Sequence, residues 1–249
     1  MNTGTEENSP VGGYAIDLSA PRYETVIQQI VEILSPKTYF EVGTSTGASL
    51  TIPQCHCIAV DPSFRIERNV IGKKEICQFF QMPSDQFFRK FSPAELLGGT
   101  IDLAFLDGMH LYEFLLRDFY NTEKYCRKNS VIMLHDCVPS DRYMAARDEA
   151  DVDQRKQSVN SGWWTGDVWK VLPILKKYRP ELRIYAVNTP PTGLILVTNL
   201  DPASKVLEEA YFQILDEFRA GSPDEPVFED YLSDLKLLHP KDLDTQAKL

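Results

Sequence analysis

The sequence predicts an α/β fold, a doubly wound and mostly parallel seven-stranded sheet with an antiparallel last strand. Three observations carry this expectation. Five short apolar runs alternate with segments at helical spacing, the pattern of βαβ units. Two final runs, Leu182–Val187 and Leu194–Thr198, are joined by a link too short for a helical crossover, so they should pair antiparallel. The first run opens the stretch TYFEVGTSTGASL (residues 38–50) and stops abruptly in a Gly/Ser/Thr turn that feeds a short helix before Pro53.

In chain order, residues 1–13 are polar and read as a loose tail. Arg22–Leu34 places Val26, Ile27, Ile30, Val31 and Leu34 at helical spacing, with a stop at Ser35-Pro36. Strand one (Tyr39–Val42) and strand two (Cys57–Val60) follow, then a third near Glu75–Phe80 and an amphipathic segment with Phe87, Phe88 and Phe91. Strand four, Ile101–Leu106, runs into Asp107-Gly108-Met109-His110 and a helix over about Leu111–Tyr125. Strand five, Ser130–Leu134, ends in His135-Asp136-Cys137. The polar, charged stretch 138–162 reads as an insertion or lid, and Val168–Tyr178 as a helix. Two further helices, about Ala203–Ala220 and Pro226–Leu238, form a C-terminal extension (201–249) to a central domain over 14–200.

The totals narrow the function. A chain of 249 residues with 43% hydrophobic content suits one large domain with a full core. A net charge of −10 argues against broad nucleic-acid or anionic-membrane binding, both of which need basic surfaces. No apolar run approaches membrane-span length, and the amino terminus lacks the basic and apolar parts of a signal peptide. Five cysteines without a second metal-type pair read as free thiols of a reducing, cytoplasmic compartment.

Chemistry concentrates at strand ends. Gly43 and Gly47 in the first turn permit positive φ and close ligand approach, and the helix behind them offers free N–H groups. Glu41 ends strand one, and Asp61 ends strand two about twenty positions later, where an acid can accept hydrogen bonds from ribose hydroxyls. The competing reading is an ordinary βα turn with solvent-exposed acids.

Taken together, this sheet with its glycine turn and ribose-type acid resembles the class I S-adenosylmethionine-dependent methyltransferases, a Rossmann-like fold. The similarity runs from about Arg22 to Thr198. Within that superfamily LDGMHLYEFLLRDF, VIMLHDC and WTGDVWK are similar to the macrocin-type small-molecule O-methyltransferase group, and more distantly to metal-dependent catechol-type enzymes. The resemblance implies that Glu41, Gly43, Thr44, Ser45 and Gly47 flank the methionine part of S-adenosyl-L-methionine and that Asp61 holds its ribose. It implies adenine contacts from Met82 and Ser84, with Asp107 and His110 near the transferable methyl. Ser45 stands where a middle glycine is commoner.

Methyl transfer requires alignment and removal of a hydroxyl proton. His110 follows Asp107 by three positions, so a helix starting there would put both on one face. An imidazole with an ordinary pKa of about 6.5 could take the proton; alternatively Asp107 is a helix N-cap and His110 a surface residue. Asp107 and Asp136 end neighbouring strands and, with His135, could hold a divalent metal, Mg²⁺ or, given the imidazole, Mn²⁺; alternatively His135 and Asp136 only hydrogen-bond across the strand ends. Trp163 and Trp164 divide evenly between pocket wall and core, Trp169 suits core packing, and Asp167 reads as a first-turn acid favoured by its own helix dipole. The expected activity is O-methyl transfer to a small hydroxylated acceptor, a sugar or secondary metabolite, with a homodimer open. The rivals are an NAD-dependent oxidoreductase on a similar sheet and a catalytically silent cofactor-binding scaffold.

Overall fold

The structure is a computed structural model that describes residues 19–243 except 152, 154, 155, 159 and 222–224. The tail predicted over residues 1–13 lies outside the described residues, as do parts of the 138–162 insertion and of the C-terminal extension.

The strands are β1 (Thr38–Val42), β2 (His56–Val60), β3 (Cys77–Phe80), β4 (Ile101–Leu106), β5 (Cys126–His135), β6 (Arg183–Val187), β7 (Leu194–Thr198) and β8 (Leu237–Leu238). They form one sheet in the order β3-β2-β1-β4-β5-β7-β6-β8. All pairings are parallel except those of β7, which runs antiparallel to both β5 and β6. The helices are α1 (Tyr23–Leu34), α2 (Ser84–Lys90), α3 (Pro93–Leu97), α4 (Tyr112–Glu123), α5 (Val171–Tyr178), α6 (Val206–Glu209), α7 (Tyr211–Phe218) and α8 (Phe228–Asp234).

Strand sequence sorts the two faces by period two. Phe40, Val42, Ile58, Val60, Ala104, Leu106, Ile132 and Leu134 point into one core layer with α2, α4 and α5. Tyr39, Cys57, Ala59, Leu103, Phe105, Val131 and Met133 point into the other, against Val26, Ile27 and Ile30 of α1. Covering both faces explains why the central strands are almost wholly apolar.

Four expectations need correction. Among the described residues the sheet has eight strands, not seven. The predicted helix Pro226–Leu238 stops at Asp234, because Leu237–Leu238 pair with Ala186–Val187 and give β6 a partner on its free edge. The predicted helix Ala203–Ala220 starts only at Val206, after a turn in which the Asp201 side chain accepts from the Ala203 N–H, and it breaks at Ala210. That break lets the Tyr211 hydroxyl reach the Glu113 carbonyl on α4. The fourth concerns Asp167, which accepts from the backbone N–H of Tyr112 at 3.1 Å and so caps α4 rather than serving its own helix. The five cysteines are free thiols, and no helix among the described residues is long and apolar enough to cross a membrane.

Candidate active site

The carboxyl ends of β1, β2 and β4 open into a cleft of about 670 Å³, within the range of small-molecule sites. Of the residues the sequence singles out, Gly43, Ser45, Asp61, Ser84, Asp107 and His110 line it.

The first turn is shaped by close packing. Gly43 has φ +83°, and a β-carbon there would lie 1.8 Å from the carbonyl oxygen of Asp107, so only glycine lets the β1 turn pass the end of β4. Ser45 adopts φ +45° without being glycine. Its N–H donates to Asp61 Oδ2 at 2.8 Å, while the Ser63 N–H donates to Asp61 Oδ1 at 2.6 Å. This bond offsets the cost of about 1–2 kcal/mol that a left-handed non-glycine residue carries, and it fixes the Asp61 carboxylate at the cleft wall.

Glu41, Thr44, Gly47, Met82, His135 and Asp136 stand behind that surface rather than on it. Glu41 faces the α1 side, fully buried, and accepts from the Tyr39 hydroxyl at 2.5 Å while Oε1 has no partner. Burial pushes its carboxyl up to about 7, against the opposing pull of the Tyr39, Thr44 and Ser49 hydroxyls. Gly47 turns away from the cleft, where a β-carbon would lie 2.5 Å from Val70.

Two aspartates and two histidines meet at the ends of β4 and β5. His110 Nε2 lies 3.0 Å from Asp136 Oδ2 and 3.7 Å from Asp107 Oδ1. His135 Nδ1 lies 3.2 Å from Asp107 Oδ1 and 3.3 Å from Asp136 Oδ2. Asp136 turns into the cluster at φ +59°, and its Oδ1 accepts from the Thr192 hydroxyl at 2.6 Å. Burial pulls both imidazoles down, but the carboxylates outweigh it and raise His110 to about 11 and His135 to about 10. Burial also acts to raise Asp136, yet the two imidazoles hold it well below the usual carboxylate range.

His110 does not sit in a helix with Asp107, because α4 begins only at Tyr112. It is held from the other side by the segment 164–167. The Trp164 carbonyl lies 3.0 Å from His110 Nδ1 and can only accept, so Nδ1 carries a hydrogen and Nε2 faces the acids. The Trp164 ring stacks on the imidazole at 5.0 Å, and its Nε1–H donates to the Ala146 carbonyl at 2.6 Å. A β-carbon on Gly166 would lie 1.7 Å from the His110 carbonyl oxygen. Trp164 therefore backs His110 rather than lining the cleft, and Trp169 packs in the core against Phe228 and Tyr231.

Asp107, His110 and Asp136 each offer one ligand atom within 4.8 Å of the others. His135 adjoins this trio, its Nε2 buried without a partner. Two carboxylates with imidazole suit Mn²⁺, Fe²⁺ or Zn²⁺ better than Mg²⁺. Sequence reasoning missed Asp118, Phe114 and the Tyr23 ring that lies 4.4 Å from His135. Asp118 left a signal, an acid on the α4 face that otherwise carries Leu115 and Phe119 inward.

Residues 40–137 match a family model described as a methyltransferase domain. Among solved structures, the chain is similar to cofactor-bound Rv0187 from MTB (TM-score 0.53, 16% identity, 71% of this chain and 78% of that one). It is also similar to a putative O-methyltransferase from Klebsiella pneumoniae (TM-score 0.50, 16% identity, 75% and 83%). A third is the O-methyltransferase TomG from Streptomyces achromogenes, involved in tomaymycin synthesis and solved with SAM (TM-score 0.50, 13% identity, 71% and 78%). At these identities the shared property is the fold. No curated protein matches the chain.

Proposed function

We propose that this chain, whose residues 40–137 match a methyltransferase-domain model and whose sheet is class I, Rossmann-like, moves the methyl group of S-adenosyl-L-methionine to a hydroxyl of a small acceptor. The acceptor class is a sugar or secondary metabolite, as in the macrocin-type group. One observation carries the reading: Asp61, Gly43, Asp107 and His110, from three different strand ends, converge on a single cleft. Asp61 faces the ribose, the Gly43–Ser45 turn faces the amino-acid part, and the sulfonium lies near Asp107.

The chemistry assigned to the residues is alignment and proton removal. Holding acceptor oxygen, methyl and sulfur in line supplies up to roughly 7–11 kcal/mol of barrier reduction. The Trp164 ring stacks on His110 and fixes its plane, and His110 Nε2 is the atom that takes the hydroxyl proton. In the cluster as it stands His110 is an imidazolium neutralising a carboxylate, so it acts as a base only when other positive charge balances Asp107 and Asp136. Asp107 and Asp136, with His135 beside them, would hold a divalent cation, which leaves His110 Nε2 unligated for the proton. When bound, such a cation supplies the charge that polarises the acceptor hydroxyl and relieves the carboxylate field on His110.

Calorimetric titration with S-adenosylmethionine, S-adenosylhomocysteine and NAD, followed by methyl-transfer assays on hydroxylated acceptors with and without Mn²⁺, tests this reading. Binding of the two sulfur nucleosides but not NAD, with methyl transfer, is the expected result. NAD binding without nucleoside binding would overturn it.

A further inference from the structure

The short link between β6 and β7, residues 188–193, is tied to two distant parts of the chain. Towards α1, the Thr189 hydroxyl donates to the Pro21 carbonyl at 2.5 Å, and the Tyr23 N–H donates to the Pro190 carbonyl at 3.2 Å. Towards the segment after β5, the Val138 N–H donates to the Thr192 carbonyl at 3.1 Å. The Gly193 N–H closes the link on the Thr189 carbonyl at 2.8 Å. Thr192, 2% exposed, is therefore fixed by its neighbours on both sides.

The link meets the acid cluster through one side chain. Thr192 Oγ1 donates to Asp136 Oδ1 at 2.6 Å, since an ionised carboxylate only accepts. The other oxygen, Oδ2, faces the cluster, 3.0 Å from His110 Nε2 and 3.3 Å from His135 Nδ1. Asp136 divides its oxygens in this way at φ +59°, a conformation that a non-glycine residue keeps only where its surroundings over-determine it. The last torsion of an aspartate is broad. Without a donor on one oxygen, the carboxylate could turn either oxygen, or both, towards the site.

We propose that Thr192 is a positioning residue for the divalent cation, turning Asp136 so that only one of its oxygens serves the site. This rests on the metal-assisted reading above. Hydrogen bonds to a ligating side chain orient it and tune the ion it holds. A carboxylate that offers one oxygen beside an imidazole suits a transition-metal ion such as Mn²⁺. Ca²⁺ instead gathers many oxygens, often both from a single carboxylate. Thr192 therefore contributes to the choice of ion while donating only to Asp136.

The test is calorimetric titration of Mn²⁺ and of Ca²⁺ into the full chain as wild type, Thr192→Val and Thr192→Ser. Valine keeps the shape and removes the hydroxyl; serine keeps the hydroxyl and removes the methyl. Thr192→Val should weaken Mn²⁺ binding by roughly 10- to 100-fold, the usual effect of losing a ligand's supporting bond. Ca²⁺ should weaken less or gain, so that the preference between the ions narrows. Thr192→Ser should hold both ions as the wild type does. Wild-type Mn²⁺ affinity in Thr192→Val, or equal weakening of both ions, would mark a merely structural hydroxyl and overturn the proposal alone. Should the valine variant not fold, a serine variant that binds Mn²⁺ about tenfold more weakly would overturn it equally, because the hydroxyl is still present. If the wild type took neither ion, the metal-assisted reading itself would fall and the inference with it.

Discussion

His110 Nε2 sits 3.0 Å from Asp136 Oδ2 while its other ring nitrogen is held by the Trp164 carbonyl at 3.0 Å. The imidazole is thus oriented from both ends, with its reactive nitrogen at the cleft. His110→Ala removes the proton acceptor without touching the Asp61 wall. Turnover should fall by roughly 10²- to 10⁴-fold, the usual contribution of a positioned base, while S-adenosylhomocysteine affinity stays nearly unchanged. Single-turnover assays alongside calorimetry check both; unchanged turnover would remove histidine from the mechanism.

Charge balance gives a second prediction. Two carboxylates, Asp107 and Asp136, can be neutralised by two imidazoliums or by one divalent cation with two neutral imidazoles. With His110 raised to about 11 and His135 to about 10, the metal-free site holds both protons at neutral pH. Binding of Mn²⁺ should therefore release about two protons per ion, and its affinity should rise with pH. Calorimetry in buffers of different ionisation enthalpy counts them. Release of none would show that the cation is not taken by this cluster.

Buried Glu41 makes stability pH-dependent. Its folded pKa of about 7 lies above the unfolded value of about 4.3. The native state therefore binds the extra proton, and the contribution is full below the unfolded value and lost as pH rises through 7. Glu41→Gln removes that titration. The variant's stability relative to wild type should rise by on the order of 3 kcal/mol between pH 4 and pH 8. Denaturant melts at the two pH values measure it, and the difference cancels the separate titrations of Asp118 and the histidines.

The sheet was legible because both its faces are buried, so β1, β2, β4 and β5 read as apolar runs whose ends carry the acids. The antiparallel β6–β7 pair was legible from its short link. What escaped reading depends on contacts between distant residues. The start of α4 is set by Asp167, more than fifty positions away, and such a cap leaves no local signature at Asp107-x-x-His110. The β8 strand exists only because β6 offers a free edge, so the sequence from Phe228 onward reads as continued helix. The protonation of His110 could not be read either, since it follows from an Asp136 that turns back at φ +59°.

Gly43 links turn shape to chemistry. An alanine there would drive its β-carbon against the Asp107 carbonyl and strain the positive φ as well. Gly43→Ala should destabilise the chain by about 1–3 kcal/mol from the backbone strain alone. It should also weaken S-adenosylhomocysteine binding and methyl transfer together, because the displaced group belongs to the reacting end. A variant with wild-type melting and turnover would show that the turn can yield without moving Asp107.

The insertion's role can be separated from the chemistry through Arg147. Its guanidinium bonds Asp167 Oδ2 at 2.7 Å and Glu113 on α4, and Asp167 in turn holds the first N–H of α4. The preceding residue, Ala146, accepts the Trp164 indole N–H, and Trp164 holds His110. Arg147 therefore clamps the segment that positions the imidazole, though it does not line the cleft and bonds Glu113 and Asp167 rather than Asp107 or Asp136. Arg147→Met keeps the side-chain length and removes the fork. Turnover should drop by roughly tenfold or more, since a displacement of about 1 Å at reacting groups can cost up to 10²-fold, while cofactor affinity stays as in the wild type. Arg147→Lys should restore little of it, because an ammonium cannot bridge two carboxylates in a planar fork. Proteolysis within 138–162 should quicken in both variants. Full activity in Arg147→Met with faster proteolysis would mean that Trp164 keeps His110 in place unaided.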